Sequence, residues 1–219
     1  NGSGAGRCVS STWSEHEPSK SKARSINGKS IFMRVHTYRR NLAGKQKKII
    51  LKAIERMKKL FLIRHAKSSW NDPDLSDLDR PLNRRGKENA PMMAKRMSLN
   101  WSPPEAVFCS PALRTRETAQ FMAEHWCKDR EVVVDERLYE NSASSALDVL
   151  SEVSSQTDSV ALVFHNPTIT YLSNVLASLD IPNVPTCGIV ILEMEREQWS
   201  EIEPASCRLR DFDYPKRKV

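Results

Sequence analysis

The sequence predicts an α/β protein, a three-layer sandwich with a mostly parallel central sheet flanked by helices. Three observations predict it. Short apolar runs rich in strand formers recur at 60–63, 106–109, 132–134 and 160–164. Stretches with helical spacing of their apolar residues separate these runs. A chain of 219 residues, 39% apolar and 28% charged, suits one such domain with a tail left over.

Taken in order, residues 1–45 repeat Ser, Gly, Lys and Arg without a sustained apolar period and read as disordered or weakly ordered. Residues 46–57 place Ile49, Ile50, Ala53 and Ile54 on one side of a short basic amphipathic helix. The texture changes at Lys58. The run 60–63 predicts a first strand, stopped by Arg64-His65. A polar stretch follows, with Asp-containing turns at Asn71-Asp72-Pro73 and Asp77, up to Arg80-Pro81. Asn83-Arg84-Arg85-Gly86 leads into a helix patterned by Met92, Met93, Met97 and Leu99. The strand at 106–109 ends in Ser110-Pro111, and a helix follows through Leu113, Ala119, Phe121 and Met122. After the strand at 132–134 comes a helix over 143–154, then the buried strand 160–164, ended by His165-Asn166-Pro167. Pro167 is suited to open the next helix. The last clear strand is 187–194, and the remainder, to Phe212-Asp213-Tyr214-Pro215, reads as a tail.

The net charge of +7 is unevenly spread. Residues 1–56 hold 13 Lys/Arg against 3 Asp/Glu, which leaves 21 basic and 24 acidic residues in 57–219. The body is therefore nearly neutral, and nucleic-acid binding is not expected except through the basic segment. The five cysteines, at 8, 109, 127, 187 and 207, form no C-x-x-C pair and no even framework. They read as reduced thiols in a cytoplasmic compartment, with Cys109 a buried small hydrophobe. No apolar run approaches the roughly 18 residues that span a bilayer, so no membrane partner is expected.

Chemistry gathers at the predicted strand ends. In an open α/β sheet, ligands sit at the carboxyl ends of the strands. Two buried runs release their chain at Arg64-His65 and at His165, and a third releases into Ser110-Pro111 with Arg114 one turn into the following helix. Imidazoles and guanidinium forks converging there make an anion site suited to phosphate. Each residue alone has a plainer reading: a structural histidine, a solvated Arg114, an Arg80 paired with the Asp-rich loop. Their joint placement decides against it. Asp72, Asp74, Asp77 and Asp79 invite a metal, yet the chain has no H-x-x-x-H or H-E-x-x-H pattern, and arginines beside the histidines repel a cation. Phosphate-loop and acyl-transfer serine motifs are absent as well.

The segments LFLIRHAKSSW, CSPALRTRETA and FHNPTITYL, together with RPLNRRG, NVPTCGIV and DFDYPK, resemble the histidine phosphatase superfamily and its SixA-type phosphohistidine phosphatase branch. The resemblance covers essentially all of 57–219. It implies a phosphoglycerate mutase-like fold, with His65 as nucleophile, Arg64 beside it on phosphate, and His165 as the second histidine. It assigns Arg80 and Arg114 to phosphate, with Ser68 and Asn71 lining the pocket as in mutase-like relatives. Residue 66 is Ala where many members have Gly. Many relatives take a general acid from the segment matching 135–141, for which the SixA branch has no firm equivalent; Glu136 and Glu140 are the candidates. The activity implied is metal-independent hydrolysis of phosphohistidine or small exposed phosphoesters through a phosphohistidine intermediate, without cofactor. The alternatives are a mutase-like enzyme on phosphosugars and a non-catalytic phosphate-binding module. The expected partner is a phosphorylated protein or small molecule, and the expected state a monomer or weak dimer. Members of this branch commonly begin where Met57 stands. Residues 1–56 are then upstream sequence, an organelle transit segment, or a basic arm for anionic partners.

Overall fold

The computed structural model describes residues 57–128, 130–140 and 142–217. The expectations for 1–45 and for 46–56 lie outside these residues. Six strands follow in chain order: β1 Met57–Arg64, β2 Ala106–Cys109, β3 Val132–Val134, β4 Ser159–Phe164, β5 Ile189–Glu195 and β6 Cys207–Asp213. Four α-helices are α1 Arg84–Asn100, α2 Leu113–His125, α3 Ala143–Ser151 and α4 Thr168–Ala177. The strands form one sheet in the order β3-β2-β4-β1-β5-β6. The β1–β4, β2–β4 and β2–β3 pairings are parallel, whereas β5 runs antiparallel to both β1 and β6.

Alternation along β1 shows how the layers arise. Successive side chains of a strand point to opposite faces, so Leu60 and Leu62 join one core and Phe61 and Ile63 the other. The first core is closed by Ala146, Val149 and Leu150 of α3 and Ile169, Leu172 and Leu176 of α4. The second is closed by Ala90, Met93, Ala94 and Met97 of α1 and Ala119 and Met122 of α2. This is the three-layer sandwich expected. Helix α1 starts where its sequence says it should: the Asn83 side chain accepts from the Gly86 N–H at 2.9 Å, which caps the first turn.

Some boundaries differ from expectation. Leu99, expected on the apolar face of α1, is 84% exposed because two residues past Met97 lie about 200° round the helix, on the solvent side. Helix α3 stops at Ser151 rather than 154, and β5 opens at Ile189 rather than 187. Met57, expected to close a helix, instead opens β1. The expected tail holds a sixth strand, β6, which pairs with β5 and seals that edge of the sheet.

Register brings three strand ends to one level. Cys109 of β2 pairs with Val163 of β4, and Arg64 of β1 pairs with Phe164. The residues that follow, Ser110, His165 and His65, therefore leave the sheet side by side.

Candidate active site

His65 lies just past the end of β1, and its backbone is held from both sides. The His65 N–H donates to the Phe164 carbonyl at 3.1 Å, and the Cys187 N–H donates to the carbonyls of Arg64 at 3.1 Å and His65 at 3.0 Å. From below, the Ala66 N–H donates to Thr118 Oγ1 of α2 at 3.0 Å. The ring is similarly fixed, with Nδ1 2.7 Å from the Ala66 carbonyl oxygen. A carbonyl only accepts, so Nδ1 carries the proton and Nε2 of the neutral ring keeps its lone pair. Burial above all lowers the pKa of His65 to about 3; His165 and the charges of Arg114 and Arg64 add to that, and the Ala66 hydrogen bond opposes it.

His165 stands beside it, with ring centroids 5.1 Å apart. Its Nδ1 is 3.3 Å from Arg114 Nη2, a group that can only donate, and its Nε2 is 2.7 Å from Ser110 Oγ. The neutral tautomer is thereby set: Nδ1 accepts and Nε2–H donates to the serine. Burial, then the Arg114 charge, lower its pKa to about 4 against a smaller opposing pull from Asp77.

Arg80 and Arg114 are drawn together by a carboxylate. Arg80 donates from Nη1 to Asp77 Oδ1 at 2.7 Å, from Nη2 to Ser68 Oγ at 2.7 Å, and from Nε to the Ser69 carbonyl at 3.0 Å. Its guanidinium also lies 3.1 Å from the centroid of the Trp70 ring, a cation–π stack. Arg114 donates from Nη2 to Asp77 Oδ2 at 2.8 Å and from Nη1 to the Asp77 carbonyl. Tyr139 OH donates to Asp77 Oδ2 at 3.1 Å, and its ring meets His165 edge-on at 5.7 Å. Burial works to raise the Asp77 carboxyl, but Arg114, Tyr139 and Arg80 outweigh it and hold it below the ordinary carboxylate range.

Arg64 approaches from the other side. Its Nη1 donates to the Val184 carbonyl at 2.7 Å and to Asn183 Oδ1 at 3.4 Å, and Asn183 is braced by Asn166 Nδ2 at 2.7 Å. Arg64 Nε is buried without a hydrogen-bond partner. A buried unpaired donor costs on the order of 1–3 kcal/mol, a cost that an oxyanion would remove. The arrangement is thus a neutral imidazole with a free lone pair beside the charges of Arg114 and Arg64, with Arg80 joined to Arg114 through the Asp77 carboxylate.

Residues 60–146 match the family model described as the histidine phosphatase superfamily (branch 1). An uncharacterized protein of Mycobacterium tuberculosis is 30% identical over 164 residues, 70% of this chain and 100% of that one. The chain belongs to the histidine phosphatase superfamily. A crystal structure from Agrobacterium tumefaciens, provisionally assigned as the phosphohistidine phosphatase SixA, is 27% identical with a TM-score of 0.61, over 72% of this chain and 98% of that one. An uncharacterized chloroplastic protein of Arabidopsis thaliana is 46% identical over 66 residues, 30% of each chain. Superfamily membership supports phosphatase chemistry in general terms.

Within this histidine phosphatase, His65, His165, Arg114, Arg80 and Ser68 meet through the contacts above, and Arg64 adjoins them. Three expected site residues do not join. Asn71 is exposed, and only its backbone N–H is engaged, by Ser69 Oγ at 3.1 Å. Glu136 is exposed in a short 3-10 turn, Glu136–Leu138. The carboxylate of Glu140 accepts from Ser145 Oγ at 2.6 Å, which commits it to the first turn of α3. What the segment after β3 contributes instead is Tyr139. The plainer reading of Arg80, paired with the Asp-rich loop, is met by Asp77, but sequence reasoning passed over Asp77 as the link to Arg114 and Ser110 as the partner of His165. Among the described residues, no group of three or more His, Cys, Asp or Glu could hold a metal ion, and no helix is long and apolar enough to cross a membrane.

Proposed function

We propose that the protein is a metal-independent phosphatase in which His65 Nε2 attacks phosphorus, acting on phosphohistidine or small exposed phosphoesters. The observation that carries this reading is the tautomer of His65, whose proton is committed to the Ala66 carbonyl so that the lone pair is free. In the first step an Nε2–P bond forms as the bond from phosphorus to the leaving group breaks in line. In the second, water attacks phosphorus, the Nε2–P bond breaks, and phosphate is released. Arg64, Arg80, Arg114 and His165 stabilise the oxygens as charge redistributes, each key donor contributing on the order of 3 kcal/mol. His165 can take up a proton at Nδ1, the atom that accepts from Arg114.

The choice of substrate rests on the missing acid. The carboxylates of Asp135 and Glu140 are bonded to Arg137 and Ser145 and Glu136 is exposed, which supports a reaction without a carboxylic acid and so leaving groups that need little protonation. The imidazole of a phosphoramidate is one. The SixA assignment of the Agrobacterium structure supports the same choice. For location, the cytoplasm and an organelle are both compatible with the sequence, and the chloroplastic Arabidopsis relative supports the organelle, with residues 1–56 as its transit segment.

The test is phosphate release in the presence of EDTA from phosphohistidine protein, phosphoramidate, p-nitrophenyl phosphate and phosphosugars. Phosphoramidates should turn over fastest, and His65→Ala should lose at least about a thousandfold. Preference for phosphosugars would favour the mutase-like alternative. Phosphate binding without turnover on any substrate would reduce the protein to a binding module.

A further inference from the structure

Two of the three arginines of the proposed phosphate-binding set already hold an anion of the protein's own. Asp77 uses both carboxylate oxygens, Oδ1 on Arg80 and Oδ2 on Arg114 and the Tyr139 hydroxyl. A planar group with two anionic oxygens bridging two guanidinium forks reproduces what a phosphoryl group would offer them. A third guanidinium donor, Arg64 Nε, is buried and has no such partner. The carboxylate is also placed to leave. Every residue from 71 to 79 is exposed, the Asp77 side chain half so, and the stretch is pinned by few contacts. From outside the stretch its backbone is held by the Leu113 N–H, which donates to the Leu78 carbonyl at 2.8 Å, and by Arg114 Nη1, which donates to the Asp77 carbonyl and keeps the backbone in place while the side chain moves; the other bonds are local turns, such as Ser76 Oγ to Asp79 Oδ2 at 2.6 Å.

We propose that Asp77 is a built-in competitor for the phosphoryl group. Its carboxylate keeps Arg80 and Arg114 spaced for two oxygens and gives way when phosphoryl oxygens take the same N–H groups. The proposal rests on the phosphate-site reading above and adds a determinant of specificity to it. Only an anion that outbids a carboxylate, by charge and by reaching Arg64 as well, displaces it. Singly charged carboxylates do not. Once displaced, Asp77 stays beside the bound anion and repels it, which weakens the hold on product phosphate.

The experiment is a calorimetric titration of inorganic phosphate into the full chain, its Asp77→Asn variant and an Arg114→Gln control. Asp77→Asn should bind phosphate about three- to tenfold more tightly, a modest factor because the carboxylate is half exposed, and Arg114→Gln should bind it more weakly. Wild-type binding that Asp77→Asn leaves unchanged or weakens would show that Asp77 only props the arginines, and the competitor would fall while the phosphate site stood. Absence of phosphate binding in the wild type and both variants would overturn the site and the competitor together. Should Asp77→Asn fail to fold, the wild type still decides: the Asp77 carboxyl carbon resonance must shift as phosphate saturates the protein, and a stationary signal refutes displacement.

Discussion

At the scale of single residues, the two histidines are kept neutral by their surroundings, and that has a thermodynamic consequence. Both pKa values lie below the ordinary 6.5, at about 3 for His65 and about 4 for His165. As pH falls below 6.5 the unfolded chain takes up protons that the folded chain refuses, so stability declines with falling pH down through the folded values. Between pH 6.5 and about 4.5 the loss should approach 1.4 kcal/mol per pH unit for each histidine. The lowered carboxylates, Asp77 and Asp135, add their own loss only further down, below 3.8. Chemical denaturation at pH 7 and pH 4.5 should therefore show a smaller acid penalty in His165→Asn than in the wild type; equal penalties would mean that the ring is already charged when folded. Arg80 came only from the family resemblance, whereas His65, His165 and Arg114 were legible in the sequence because each comes just after a strand, and Arg64 because it ends one. Asp77 and Tyr139 were not, since their contacts join residues 37 and 62 positions apart. Only the folded chain brings those residues together.

Among the elements, the link between α1 and the nucleophile loop is the most exacting. Gly86 sits in the first turn of α1, and a Cβ there would run into the Lys67 carbonyl oxygen, backbone that cannot swing aside, with Leu82 Cβ only 3.2 Å away. The same carbonyl accepts from the Asn83 N–H at 2.9 Å, so the helix cannot retreat without losing a bond. Gly86→Ala should cost about 1–3 kcal/mol, as overpacking does. It should also lower turnover, because Lys67 follows the Ala66 carbonyl that orients His65. Thermal melting and kcat measured together check this, and a variant as stable as the wild type would show that α1 shifts freely. The strands β1, β2 and β4 were legible because their apolar runs fill the interior of a sheet covered on both faces. β6 was missed for the opposite reason. As an edge strand it carries Arg208, Arg210 and Asp211 among its apolar residues, the charged pattern that protects an edge and that also reads as a tail.

For the whole molecule, the proposed division at residue 57 assigns all of the chemistry to the second part. The 57–219 fragment should hydrolyse phosphoramidate at the full-chain rate, while a fluorescent fusion of the full chain should enter an organelle that the fragment does not reach. Activity that requires residues 1–56 would overturn the division, and equal distribution of the two fusions would overturn the transit reading. Within the body, the backbone at Arg64-His65 is bonded to β4 and to the loop entering β5, whereas every residue from 71 to 79 faces solvent. On the proposed function, attack is thus assigned to a stretch bonded on both sides and substrate choice to one that faces solvent. Asp77 apart, replacements in the outer stretch meet few packing constraints and leave the imidazoles where they are, so on that function descendants of this gene are free to exchange one phosphorylated substrate for another while inheriting the catalytic step.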